Sequence, residues 1–275
     1  MATAPASPRR RTSMSPRKRA QVNRIVQYAI LVVAAGAAAV LTDWSTVGEK
    51  FFNPQVALNQ FPGVVTVALK NTVIYTALGF VLALALGLLL ALMKISPVAP
   101  YRWIATLYIE FFRGLPALLI FIAFGYAIPY AFGIRIDTYV TVMLALGIVE
   151  SAYIAETLRA GLQAVPKGQY EAARSLGMSN SRAMITIVIP QAVRIILPPL
   201  TNEIIMMTKD SSLIYLLGLT ASQYELAKFG REAISSPEAG LTPLVVAGAA
   251  YLVITVPLGI LARTFESRTA KLSRE

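Results

Sequence analysis

Residues 64–93 read VVTVALKNTVIYTALGFVLALALGLLLALM, an apolar run that holds a single charge, Lys70. As a helix rising about 1.5 Å per residue it is long enough to cross a hydrocarbon core of about 30 Å. Residues 25–41, 104–130, 138–160, 183–207 and 241–262 have the same character. A barrel strand needs only about ten residues of alternating polarity, and these runs are longer and uniformly apolar. Backbone immersed in lipid must satisfy its own hydrogen bonds, so each run is expected to be helical. The expected fold class is an all-α integral membrane protein with six transmembrane helices.

Composition agrees. Of 275 residues, 56% are hydrophobic and 14% charged, and the formal charge is +11. The chain has neither cysteine nor histidine, which removes disulfides, Cys/His metal sites and Ser-His-Asp triads. Neither a metal site nor a set of catalytic residues is therefore expected. The basic excess is distributed by topology. If the chain starts in the cytoplasm, that side receives Arg9, Arg10, Arg11, Arg17, Lys18, Arg19 and Arg24, then Lys94 and Arg102, then Arg159, Lys167, Arg174 and Arg182, and finally Arg263, Arg268, Lys271 and Arg274. The outer side receives only Lys50, Arg135, Lys209, Lys228 and Arg231. That asymmetry follows the positive-inside rule, places both termini in the cytoplasm and makes lipid, not nucleic acid, the partner of the basic residues. Residues 1–24 have too little apolar surface to order a fold and are expected to be a disordered tail. Residues 25–41 are longer than a leader core and lack a cleavage site, so they are read as a retained N-terminal span.

Between the fourth and fifth spans the chain runs Val165-Pro-Lys-Gly-Gln-Tyr-Glu-Ala-Ala-Arg-Ser-Leu-Gly-Met-Ser-Asn180. Pro166 suits a first helical turn, residues 171–176 favour helix, and Gly177 takes the left-handed conformation that closes one. Ser179 or Ser181 caps the next helix. Ala172 and Ala173 leave room for another protein's surface, while Glu171 and Arg174 supply charge. Glu171-Ala172-Ala173, three residues, Gly177, nine residues and then Ile187-Val188-Ile189-Pro190 resembles the EAA loop of bacterial ABC importer permeases, with Ile189 where that motif usually has Leu. Glu110-Phe-Phe-Arg-Gly-Leu-Pro116, Ser151-Ala-Tyr-Ile-Ala-Glu-Thr-Leu-Arg-Ala-Gly161 and Lys209-Asp-Ser-Ser-Leu213 extend the resemblance to the polar amino acid uptake branch of that superfamily.

The resemblance implies a five-helix permease core at residues 61–265, with one added N-terminal helix and a cytoplasmic tail at 266–275. It implies that residues 166–177 form a cytoplasmic coupling helix through which Glu171, Ala172, Ala173 and Gly177 engage separate cassette ATPase subunits. Further implied partners are an extracytoplasmic amino acid-binding protein and a second permease subunit, identical or not, in a bacterial inner membrane. ATP and magnesium would bind the partner, because no G-x-x-x-x-G-K-[ST] loop occurs in this chain.

Charges inside spans face a bundle interior or water. Glu110 with Arg113 and Glu156 with Arg159 are spaced i, i+3 and are expected to pair. Arg194, between Pro190 and Pro198, is read as architectural, beside carbonyls that the prolines free. Substrate contact is expected at Glu203, Lys209, Asp210 and Ser211, where carboxylates face an amine and a lysine faces a carboxylate; the same cluster also fits a simple interfacial anchor. Glu150 stands mid-span with no partner one turn away. It either reads a cationic group of the substrate or pairs with Lys70 or Arg194. Tyr153 is read as packing. An ion-coupled secondary transporter using Glu150 and Glu203 as relays is the rival reading, against which the loop spacing argues.

Overall fold

The structure is a computed structural model that describes residues 15–236 and 238–272, with side chains to residue 269. It divides into two units, Met1–Glu49 and Lys50–Glu275. The helices in chain order begin with α1 (Pro16–Leu41), α2 (Trp44–Phe51) and α3 (Pro54–Asn59). Next come α4 (Lys70–Ile95), α5 (Ala99–Gly114), α6 (Ala117–Ile122), α7 (Ile128–Phe132) and α8 (Thr138–Ala164). The set ends with α9 (Lys167–Ser175), α10 (Asn180–Ala183), α11 (Ile189–Asp210), α12 (Leu226–Ala233) and α13 (Thr242–Leu272). Wide π-type turns at Val64–Leu69 and Met184–Val188 run straight into α4 and α11, so the apolar spans are Val64–Ile95 and Asn180–Leu216.

In the first unit, α1 starts at Pro16, not after residue 24. The Ser15 hydroxyl accepts from the Lys18 amide at 3.5 Å, Pro16 occupies the first turn, and the Arg, Lys, Ala and Gln residues beyond it are good helix formers. Residues 16–24 of the expected disordered tail are therefore helical, and residues 1–14 lie outside the described residues. The Trp44 indole donates to the Ala39 carbonyl at 2.7 Å and fastens the end of α1.

In the second unit, α4 packs along α8 through a ridge of small residues, Gly79, Ala83, Gly87 and Ala91, four apart and therefore on one face. A Cβ on Gly79 would stand 2.7 Å from Leu146 Cδ2, and one on Gly87 would stand 2.8 Å from Ile154 Cγ2. Leu82 of α4 in turn sits over Gly147 of α8. Tyr75, Val142, Ala145, Leu146 and Ile154 complete a buried core, and α5 adds Ala105 and Ile109 against Leu90, Ala152 and Ala155. Outward residues such as Val81, Trp103, Leu107 and Val253 are large, apolar and 64–73% exposed, a surface suited to acyl chains.

Among the described residues five helices are long and apolar enough to span a membrane. The expected third span, residues 104–130, is not one helix: Ala99–Gly114 and Ala117–Phe132 meet at 99°. Pro116 offers no amide to continue α5, and Leu115 before it is driven to extended backbone at φ −99°, ψ 142°. The pair counts as a sixth span only if its two halves cross together. At the other end, α13 runs on to Leu272, because no glycine or proline follows Gly259 to stop it; the expected tail at 266–275 is thus helical as far as 272.

Candidate functional site

Two sites emerge. The first is α9, which leaves α8 at Val165 with Pro166 as its N-terminal cap residue. At its C-terminus the Met178 amide donates to Ala173 O at 3.2 Å and the Gly177 amide to Arg174 O at 3.0 Å, with Gly177 at φ +83°. This Schellman closure requires a residue that tolerates the left-handed region, which is why glycine stands there. The Ser179 hydroxyl, rather than Ser181, caps α10, accepting from the Arg182 amide at 3.4 Å. Helical periodicity sorts the side chains. Tyr170 packs on the main core and Ala173, 5% exposed, turns inward, so Ala173 is not free to admit a partner as the sequence reading supposed. Glu171, Ala172 and Ser175 face out, and Leu176 is 85% exposed. Leu176 was missed by the motif reading; its place between the last helical turn and the closing glycine was the available signal.

The second site is a cavity of about 160 Å³ where α8, α11 and the α5–α6 break meet. Glu150 and Tyr153 of α8, Glu203, Met206 and Asp210 of α11, and Leu115 and Ala117 from the break line it. Glu150 is 4% exposed and lines the cavity together with Asp210. It pairs with neither Lys70 nor Arg194, both of which are exposed on other faces. Carboxyls gathered on one cavity wall suit a ligand that brings its own cation, since bare anions repel. Glu203 accepts from the Thr157 hydroxyl at 3.3 Å. The expected Glu110–Arg113 pair does not form. The Arg113 guanidinium instead lies 5.5 Å from the centroid of the Tyr153 ring and close enough to Glu203 for electrostatic attraction. The α5–α6 break causes this by ending α5 beside the cavity; the Gly114-Leu-Pro116 interruption was the sequence signal.

The remaining expectations divide. Glu156 does pair with Arg159, at 2.6 Å, and also with Lys94, tying α8 to α4. Lys209 is exposed and does not line the cavity. Ser211 is fully buried, but its hydroxyl donates to Thr208 O at 2.7 Å and ends α11 instead of facing the cavity. Both residues follow a helix whose 3.6-residue turn brings Glu203, Met206 and Asp210 to the wall of this cavity. Among the described residues no group of His, Cys, Asp and Glu has the arrangement of a metal site.

After α11, the short helix α12 is held by a buried carboxylate. Glu225 accepts from the Ala227 and Lys228 amides at 2.5 and 2.7 Å and from the Tyr251 hydroxyl at 3.0 Å. Asn71, Thr72 and Tyr75 of α4 bond the backbone of residues 222–226 and fix this loop on the bundle.

Residues 83–271 match the family described as binding-protein-dependent transport system inner membrane component. A probable glutamine ABC transporter permease of Bacillus subtilis is 40% identical over 72% of this chain and 91% of its own length. An arginine transport system permease of the same organism is 33% identical over 74% of this chain and 89% of its own. The crystal structure of an amino acid ABC transporter with histidines superposes with a TM-score of 0.70 at 35% identity, covering 78% of this chain and 98% of that one.

Proposed function

The chain belongs to the inner-membrane components of binding-protein-dependent transport systems, and from that premise we propose that it is the permease through which an ATP-driven importer moves a polar amino acid. The observation that carries the reading is α9: a short helix between two spans, sealed by Gly177, that presents Glu171, Ala172 and Leu176 to a partner. A cassette ATPase with bound ATP and magnesium is the partner that fits, because this chain has no phosphate-binding loop of its own. In this reading α9 and both termini are cytoplasmic, in line with the distribution of Lys and Arg, and the loop carrying α12 faces an extracytoplasmic binding protein. A second permease subunit, identical or homologous, completes the path.

The cavity supplies the passage site. Its carboxyls, Glu150, Glu203 and Asp210, accept from the ammonium of an amino acid, and Arg113 at its edge meets the carboxylate, taking the part that the sequence reading gave to Lys209. Closure of the ATPase pair on α9 is transmitted along α8 and the Asn180–Leu216 span, the two elements that carry these carboxyls, and exposes the cavity alternately to the two sides.

Co-purification with a candidate cassette ATPase tests the α9 assignment. Glu171→Arg and Leu176→Asp, both at exposed positions, are expected to abolish association while the permease stays folded. Undiminished association of both variants would show that the ATPase docks elsewhere.

A further inference from the structure

On the α9 side of the Lys50–Glu275 unit, α11 and α13 enclose a cavity of about 220 Å³ lined by Arg194, Leu197, Phe265, Arg268 and Thr269. Pro198 lacks the amide that would bond the Arg194 carbonyl, and the Thr269 hydroxyl of α13 lies 3.0 Å from that carbonyl and 3.0 Å from the Phe265 carbonyl of its own helix, one proton serving both. The two helices are therefore fastened at this level, and the arginines flank a fixed frame. Among the described residues neither guanidinium donates to a carboxylate or a carbonyl, and the neighbouring acid, Glu266, does not line the cavity.

The depth of the cavity is set by the helices themselves. From Thr242 to Ala262 α13 carries no charge, about 30 Å of helix, so Arg263 stands where the hydrocarbon ends and Arg268 lies about 8 Å beyond it, among the headgroups. From Asp210, in the mid-span cavity, back to Arg194, α11 covers about 24 Å and reaches the same layer. Next to Arg194 in sequence, Val193 is apolar and exposed, and along α13 toward the membrane centre from Arg268 so are Leu261, Ile260 and Val256, all 43–53% exposed. The neighbourhood therefore pairs two cations at headgroup depth with a wall that acyl chains wet.

We propose that this cavity binds the phosphate of an anionic phospholipid from the leaflet on the α9 side. Paired guanidiniums suit a phosphodiester because each fork spans two oxygens, and the lipid's chains lie along the exposed apolar face of α13. Lipid fits better than a free anion or an acidic protein segment, because the site opens onto apolar surface at bilayer depth.

Native mass spectrometry of the purified full chain, titrated with phosphatidylglycerol or phosphatidylcholine, tests this. The Arg194→Gln/Arg268→Gln double variant should bind phosphatidylglycerol about thirtyfold more weakly than wild type, and each single variant about fivefold more weakly. Phosphatidylcholine should stay weak throughout, inorganic phosphate should displace nothing, and Arg263→Gln, outside the cavity, should change little. Any of four results overturns the proposal: equal retention by wild type and double variant; the same loss from Arg263→Gln, which would mean diffuse attraction; displacement by inorganic phosphate, which would mean a free-anion site; or intact lipid binding with lost ATPase association, which would mean a protein surface. If the double variant loses helix content, Arg268→Gln alone decides, since that side chain makes no described bond.

Discussion

At Glu150 a carboxyl is held 4% exposed on a cavity wall shared with Asp210 and Glu203, with Arg113 at its edge. Groups arranged this way are neutralised best by a ligand that brings its own cation. Glu150→Gln and Asp210→Asn should therefore each lower amino acid uptake by about tenfold or more, the scale of one lost hydrogen bond to a charged group, while ATPase association through α9 is unchanged. Unaltered uptake in both would remove the cavity from the path. The sequence made Glu150, Glu203 and Asp210 legible because acids inside apolar runs are conspicuous. It did not reveal that Lys209 and Ser211 turn away or that Arg113 turns in, since those outcomes depend on helix rotation and on a break one residue past Gly114. Glu225 carries a separate prediction. Burial against α4 and α13, outweighing the Ala227 and Lys228 amides, the Tyr251 hydroxyl and the Lys228 charge, pushes its carboxyl from about 4.5 up to about 7; Tyr75 of α4 also faces it. The folded value lies above the unfolded one, so its contribution to stability is complete below about pH 4.5 and is lost as pH rises through about 7. The thermal midpoint of the full chain in detergent should fall between about pH 5 and 8, and less so in Glu225→Gln; equal falls would contradict this.

Among the elements, α4 and α8 approach closely because Gly79, Gly87 and Gly147 leave out the atoms that would keep them apart. Gly87→Ala places a Cβ 2.8 Å from Ile154 Cγ2 and 3.1 Å from the Ser151 carbonyl, where backbone cannot yield, and should destabilise the fold by about 1–3 kcal/mol. Gly248→Ala in α13 meets nothing within 4 Å and should be neutral or stabilising by up to about 1 kcal/mol. Melting curves of the two variants that coincide would contradict the packing account. The helices themselves could be read from apolar runs, and α9 from its proline, its helix formers and its closing glycine. The bend of 99° between α5 and α6 could not, although Pro116 marked its position, because hydropathy registers length without direction. The start of α1 at Pro16 was obscured by the basic composition of residues that are nonetheless good helix formers.

In the whole molecule, the proposed function links one surface helix to one mid-span cavity through α8 and the Asn180–Leu216 span, with the energy source on another chain. ATP hydrolysis and amino acid uptake should therefore depend on each other. The direct measurement is ATP hydrolysis in proteoliposomes containing this chain, a cassette ATPase and a binding protein loaded with individual amino acids, for wild type and Glu171→Arg. The account predicts that one loaded binding protein stimulates hydrolysis by wild type and that Glu171→Arg removes the stimulation. Uptake that proceeds without any ATPase, follows an ion gradient and is indifferent to Glu171 would contradict it.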